Sequence, residues 1–290
     1  MKLNLQNYSL KPRLIDGAWG TRLENMGLPS GMAPELWNAT NPGIIEEVAR
    51  SYVEVGSEII LTNTFGANRY VLERSDATSR VEELAIEGVK ISRRAAEKRT
   101  KVFASIGPTG KIVMMDEISR EDFRRAFTET TRAIASAEPD AIVLETFNEL
   151  EELEIALKAV TMSCKLPVVA CMSFASGPEN AATMMGDTPE DLAEMAEKQG
   201  ADAVGANCGV GPESYLHVAR RLRAGTDLPI WIKPNAGAPK TDQEGNTVFP
   251  IGPAEFGAYG PLFLDAGVNF VGGCCGTTPE HIRAMKNAID

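Results

Sequence analysis

The sequence is short of positive charge. Its 290 residues hold 29 lysines and arginines against 40 aspartates and glutamates, a formal net charge of −11. Such a chain lacks the basic surface that a general nucleic-acid binder needs, and docking to an anionic membrane is equally disfavoured. No run approaches the ~18 consecutive apolar residues of a membrane span. The N-terminal segment MKLNLQNYSLKPRLIDG alternates polar and apolar residues, without the apolar core of a signal peptide. Histidine is scarce: His217 and His281 are the only two. Both fall in helix-start segments away from strand ends, so they read as surface or helix-dipole residues and a histidine-based triad is disfavoured. HExxH, GxSxG and Walker-type phosphate motifs are absent. So is an even cysteine set. The five are Cys164, Cys171, Cys208, Cys274 and Cys275, two of them adjacent, which does not read as a secreted disulfide framework. A reducing cytoplasm is the expected setting.

What is present is an ordinary globular composition, 43% apolar and 24% charged, which argues against disorder. The length suits one large domain or two small ones. Eight short runs read as strands: Arg13–Asp16, Glu58–Asn63, Val102–Ile106, Ala141–Glu145, Val168–Met172, Ala203–Asn207, Ile230–Lys233 and Asn269–Gly273. They are near-continuous apolar runs, as expected of parallel strands buried on both faces. Helix signals lie between them. Asn41-Pro42 places a cap residue before a first-turn proline; Ile44, Val48 and Tyr52 recur four apart; Gly56 closes the segment. Thr188-Pro189-Glu190 and Thr278-Pro279-Glu280 repeat that start. A faint repeat links GSEIILTNTF, PDAIVLETF, GADAVGANC and GVNFVGGCC, each a helix end, a strand and a small polar cluster.

Eight such units predict an α/β fold, a single-domain (β/α)8 TIM barrel over residues 1–290. An open doubly wound sheet is the alternative; the count of eight and the lack of GxGxxG after the first strand favour the barrel. Three long loops follow strands, Gly17–Thr40, Ala175–Asp187 and Ala236–Pro250, on the face where barrel active sites are built. The last reads either as a mobile lid or as a surface excursion.

The strand reading brings Cys208, after the sixth strand, and Cys274-Cys275, after the eighth, to one mouth of the barrel. Any one of them alone reads as core filling. Three convergent thiols suit Zn2+, and three protein ligands leave a fourth position open, the catalytic arrangement. Reading VGGCCG as a phosphate loop ranks lower, because KPNAG after the seventh strand does not resemble one. Cys164 and Cys171 read as core. Asp16 and Glu145 stand at strand ends, where they either bond loop amides or grip the cationic amine of a ligand. Asn63, Thr64 and Asn235 also lie at strand ends and are candidates to bond a small polar ligand.

DGAWGT (Asp16–Thr21), TNTFGAN (Thr62–Asn68), LETF (Leu144–Phe147), GANCGVGP (Gly205–Pro212), KPNAGAP (Lys233–Pro239) and GGCCGTTPEHI (Gly272–Ile282) resemble the homocysteine S-methyltransferase family. Within it they are most similar to the homocysteine-binding barrel of cobalamin-dependent methionine synthases. The motifs fall in family order over nearly the whole chain. The resemblance implies zinc held by Cys208, Cys274 and Cys275, which thereby serve catalysis, with the substrate thiol in the fourth position. That position would be filled by Asn235 when substrate is absent. It also implies that Asp16 and Glu145 hold the substrate ammonium, with Asn63 and Thr64 in the same pocket. The expected chemistry is transfer of a methyl group to the thiolate of homocysteine, giving methionine. The chain stops at Asp290 without the folate and cobalamin domains of methionine synthase. The donor is therefore expected to be methylcobalamin on a separate corrinoid protein, or a small onium compound. Trp19 stands where DGAMGT has a smaller or sulfur residue; it either lines a donor pocket or packs. Two other readings compete: a non-catalytic thiol-binding subunit needing a partner, and an unrelated aldolase-type phosphate barrel.

Overall fold

The computed structural model describes residues 3–290; Met1 and Lys2, the first two residues of the domain range above, lie outside them. Eight parallel strands alternate with eight principal helices. The strands are β1 (Arg13–Leu14), β2 (Ile59–Ile60), β3 (Lys101–Ile106), β4 (Ala141–Phe147), β5 (Val168–Met172), β6 (Ala203–Cys208), β7 (Ile230–Pro234) and β8 (Phe270–Val271). The helices are α1 (Pro42–Glu54), α2 (Val81–Ala96), α3 (Arg120–Ser136), α4 (Leu150–Ser163), α5 (Pro189–Gln199), α6 (Pro212–Gly225), α7 (Pro253–Asp265) and α8 (Pro279–Ile289). Hydrogen bonding runs β1-β8-β7-β6-β5-β4-β3-β2, and a parallel bridge from Ile15 to Ile59 closes β1 onto β2. This is the (β/α)8 barrel.

Period-two alternation sorts each strand between two cores. In β7, Ile230 and Ile232 face the helices, whereas Trp231 fills the barrel interior with Phe103, Val143 and Phe270. The Phe103 and Trp231 rings stack with centroids 5.8 Å apart, and the Phe270 centroid lies 5.6 Å from that of Trp231. Each such fully buried ring stabilises the fold by about 1.5–3 kcal/mol. Opposite Trp231 the chain carries Gly205, where a Cβ would sit 2.0 Å from the Trp231 carbonyl. Leu5, from a short N-terminal helix, joins the interior cluster. Cys171 is fully buried there, the core role expected of it.

Three strands, β1, β2 and β8, are shorter than the apolar runs predict; around β1 and β2 side chains replace main-chain partners. The Leu61 amide donates to Asp16 Oδ2 at 2.7 Å, and the Ser105 amide donates to Thr62 Oγ1 at 3.1 Å. The ladder around β2 thus ends in polar side chains just where the mouth begins.

The helix starts behave unequally. Thr188 forms a capping box with Asp191, and Thr278 forms one with His281. Asn41 occupies the cap position of α1 but makes no side-chain cap bond. His281 marks a helix start as expected, yet it is buried rather than on the surface. Its Nδ1 meets the Thr278 amide at 3.1 Å and its Nε2 lies 2.9 Å from the Ile251 carbonyl. The Ala236–Pro250 loop folds into an antiparallel hairpin pairing Lys240–Thr241 with Thr247–Val248.

The loop after β3 is clamped to α4 by a buried acid. Glu152 Oε1 accepts from both the Thr109 amide and the Thr109 hydroxyl, each at 2.7 Å. Burial dominates over these bonds and pushes the Glu152 carboxyl up to about 7 from about 4.5. A carboxyl raised on folding favours the folded state while protonated. Its contribution is complete below about pH 4.5 and is lost as pH rises through about 7, a swing of about 3 kcal/mol. Glu152→Gln keeps the acceptor oxygen and removes the charge. The variant is expected to flatten that part of the pH dependence and to exceed the parent in stability at pH 8, read by urea unfolding at pH 5 and pH 8. A parent–variant gap that does not change between the two pH values would contradict the assignment.

Candidate metal centre and substrate pocket

Cys208, Cys274 and Cys275 converge. Among the described residues they form the one group of three metal-capable side chains whose ligand atoms all lie within 4.8 Å of one another. Cys208 Sγ and Cys275 Sγ are 3.9 Å apart. Tetrahedral thiolates about 2.3 Å from a zinc ion would be about 3.8 Å apart, so little movement would be needed to bind one.

The backbone that presents them is tightly held. Cys208 ends β6 with φ +66°, a left-handed conformation that costs a non-glycine residue about 1–2 kcal/mol. Gly209 follows at φ +62°, and a Cβ there would meet the Phe174 carbonyl at 2.6 Å. Thr146, at the irregular end of β4, is also left-handed at φ +64°, an outlier for a β-branched residue. Asn207 ties the two strained ends together. Its Oδ1 accepts from the Thr146 amide at 2.7 Å, and its Nδ2 donates to Thr146 Oγ1 at 2.6 Å. After β8, the Cys274 amide donates to the Pro234 carbonyl at 2.8 Å, and the Cys275 carbonyl accepts from Ala236 at 2.9 Å. Thr277 Oγ1 closes the turn onto the Cys274 carbonyl at 2.7 Å.

The three thiols perturb one another's ionisation. Hydrogen bonding with Cys274 and Cys275 holds the Cys208 thiol well below the ordinary range. The same hydrogen bonding pushes Cys274 up to about 12, and Cys275 well above its usual value. Only a cation among them would let all three ionise. Asn235 stands beside them. Its Nδ2 donates to the Gly209 carbonyl at 3.0 Å, and its Oδ1 is buried without a partner. Three soft donors within 4.8 Å of one another, beside an orphan oxygen, fit a thiophilic divalent ion.

Beneath the thiols lies a charged floor. Asp16 and Lys233 form an ion pair at 2.6 Å, with side-chain exposures of 0% and 2%. Asp16 Oδ2 also accepts from the Trp19 indole at 2.8 Å. Glu145 Oε1 accepts from the Ser105 hydroxyl, and Oε2 has a 3.4 Å contact from Asn207 Nδ2. Burial pushes Glu145 up to about 7 against the pull of the Lys233 charge. For Lys233, burial opposes protonation, but Asp16, Glu145 and Cys274 more than offset it and its pKa rises. Ser105, Glu145 and Lys233 are each two residues beyond an interior core residue, Phe103, Val143 and Trp231. The alternation that builds the core therefore also builds the floor.

Asn63 and Thr64 reach the same end of the barrel but are engaged internally. Asn63 Nδ2 donates to the Pro34 carbonyl and to Asn38 Oδ1, both at 2.8 Å. Thr64 Oγ1 donates to the Ser105 carbonyl at 2.7 Å and lies 2.6 Å from Thr62 Oγ1. Cys164 ends α4, away from the cluster. Sequence reading missed Lys233, Asn207 and Ser105 as pocket residues. The signal available was period two: a lysine two residues after Trp231 in a strand buried on both faces.

A closed barrel with three thiols converging at the strand ends, over a buried charged floor, defines a class of metal-capable (β/α)8 proteins. The chain belongs to the homocysteine S-methyltransferase family: the model of the family described as Homocysteine S-methyltransferase matches residues 13–289. Methionine synthase of Mycobacterium leprae (strain TN) is 31% identical over 304 residues, covering 98% of this chain and 25% of that protein. Methionine synthase of Mycobacterium tuberculosis is 32% identical, covering 94% of this chain and 24% of that protein. The chain thus spans about a quarter of the length of these curated relatives. Among solved structures, the metallated form of the homocysteine methyltransferase MmuM from Escherichia coli shares the fold with a TM-score of 0.79. It is 23% identical, with 97% of this chain and 98% of that chain covered.

Proposed function

We propose that this barrel is a zinc-dependent S-methyltransferase that moves a methyl group from an activated donor to the thiol of homocysteine, giving methionine. The observation that carries the reading is the convergence of Cys208, Cys274 and Cys275 within 4.8 Å at the mouth of the barrel. The three thiolates would hold zinc; bound there, it supplies a fourth position and keeps an acceptor thiol deprotonated and nucleophilic at neutral pH. Asn235 Oδ1, buried and unpaired, is the protein's own candidate for that position before substrate arrives.

The remaining roles belong to the chain's side chains. The floor holding Asp16 and Glu145 is acidic enough to draw in the substrate ammonium, and of the two acids Glu145 offers the less engaged oxygen to bond it. Asn63 and Thr64 hold the pocket wall through their bonds to Asn38 and Ser105. Anchoring at both ends orients the acceptor sulfur for in-line displacement. Sulfur gains the methyl group, and the donor leaves with the bonding pair.

The test is zinc content and methyl transfer to homocysteine in one reduced, chelator-free preparation, with S-methylmethionine, betaine and methylcobalamin as donors. About one zinc per chain and turnover with one donor are expected. Absence of zinc together with absence of transfer from every donor would overturn the reading.

A second version, in which a corrinoid protein presents the methyl group, is favoured by the rim. Among the ten exposed large apolar side chains of the described residues, Met32, Phe65, Met114, Met115, Met184 and Met185 stand on loops after β1, β2, β3 and β5. Flexible thioether-rich surfaces suit protein contacts. Turnover that appears only when a methylated corrinoid protein is added would select this version.

A further inference from the structure

Lys233 is a buried charge. Of the ion pairs among the described residues, Lys233–Asp16 is the one with both side chains buried. Its consequence lies in how the two floor acids are used. Asp16 Oδ2 takes two donors, the Trp19 indole at 2.8 Å and the Leu61 amide at 2.7 Å, and Oδ1 takes Lys233 Nζ at 2.6 Å. Every partner of Asp16 is thus a donor supplied by the chain itself. Glu145 is differently placed. Ser105 engages Oε1, whereas Oε2 has only the long contact with Asn207. Asp16 and Lys233 pair with each other, so Glu145 is the floor acid left without a cationic partner at hydrogen-bond distance.

We propose that Lys233 is a positioning residue that occupies Asp16 from within the barrel, so that Glu145 alone receives the ammonium of the amino-thiol substrate. The proposal rests on the reading of the pocket as an amino-thiol site and divides its labour. Asp16 neutralises Lys233 and anchors Trp19; Glu145 recognises the amine. A lysine held in this way also fixes where the substrate nitrogen sits, because its own charge repels a second ammonium from the Asp16 side. Selectivity for the amine then comes from one oriented carboxylate rather than from two that share it.

The experiment uses the full zinc-loaded chain and two probes differing only in the amine: homocysteine and 4-mercaptobutanoate. Binding of each is read by calorimetry, and the ratio of affinities is the amine preference. Glu145→Gln is expected to reduce that ratio by about tenfold or more, the ordinary worth of a charge-assisted hydrogen bond. The double variant Asp16→Asn with Lys233→Met removes the internal pair as a unit and is expected to keep the ratio within about threefold of the parent. Adding Lys233→Met to Glu145→Gln is expected to restore part of the lost preference, because the freed Asp16 then faces the pocket. A double variant that loses the preference as fully as Glu145→Gln would overturn the proposal, since Asp16 would itself be the amine's partner. Circular dichroism and zinc content confirm that each variant is folded and loaded. If Asp16→Asn alone does not fold, the comparison of the double variant with the parent still decides. A parent that binds both probes equally would instead overturn the amino-thiol reading beneath it.

Discussion

Replacing Cys208 with alanine is expected to abolish metal retention and to lower thiol methylation at least about a thousandfold, well beyond the 10–100-fold typical of losing an outer partner. Of the three thiols, Cys208 is the one supplied by a different strand, so its loss leaves both remaining ligands on the single turn after β8. It is also the one the backbone is strained to present, at φ +66°. Alanine at the same position keeps the strain and loses the ligand. The two remaining thiols, both partly buried, would have to ionise with one donor fewer around the ion. Emission spectroscopy after gel filtration should find less than about a tenth of the parent's zinc, with an unchanged far-ultraviolet spectrum. A variant that keeps full zinc and full transfer would remove the basis of the proposed function.

The second large effect falls on stability. Asp16→Asn is expected to destabilise the fold by about 3–5 kcal/mol, the usual result of leaving one charge of a buried pair uncompensated. All three partners of Asp16 are donors, so an amide that keeps its oxygen on Leu61 and Trp19 must turn its NH2 group toward the Lys233 ammonium. Adding Lys233→Met should recover most of the loss, since buried pairs are often replaced by apolar groups without net cost. Urea unfolding of parent, single and double variants measures both quantities. A single-variant loss under about 1 kcal/mol would mean that the pair is far better solvated than its exposure of 0% and 2% implies.

The barrel was legible because parallel strands buried on both faces announce themselves as apolar runs, and Val168–Met172 was placed to the residue. The thiols were legible for a related reason: strand ends in a barrel share one mouth, so Cys208 and Cys274-Cys275 had to meet. Other features were hidden by contacts that no local pattern records. β1 and β2 are short because Asp16 and Thr62 accept amide hydrogens that a longer ladder would have taken. Asn41 has the right identity for a cap and makes no cap bond, while His281 caps its helix and is buried by the same contacts. Lys233 was passed over as the polar end of an apolar run, although its spacing from Trp231 turns it inward. Thr146 carried no signal at all. Its left-handed backbone depends on Asn207, which is 61 positions away.

The bond from the Leu61 amide to Asp16 has a further consequence. At this point the main-chain closure of the cylinder is extended by a side chain that also forms part of the charged floor. Wall and lining therefore cannot be varied separately at Asp16. A descendant that accepted a different thiol, or none, would still need an acceptor there to satisfy the buried Leu61 amide beyond the end of the ladder. Persistence of this acid would testify to the architecture, whereas drift at Glu145 and Ser105 would report a change of substrate.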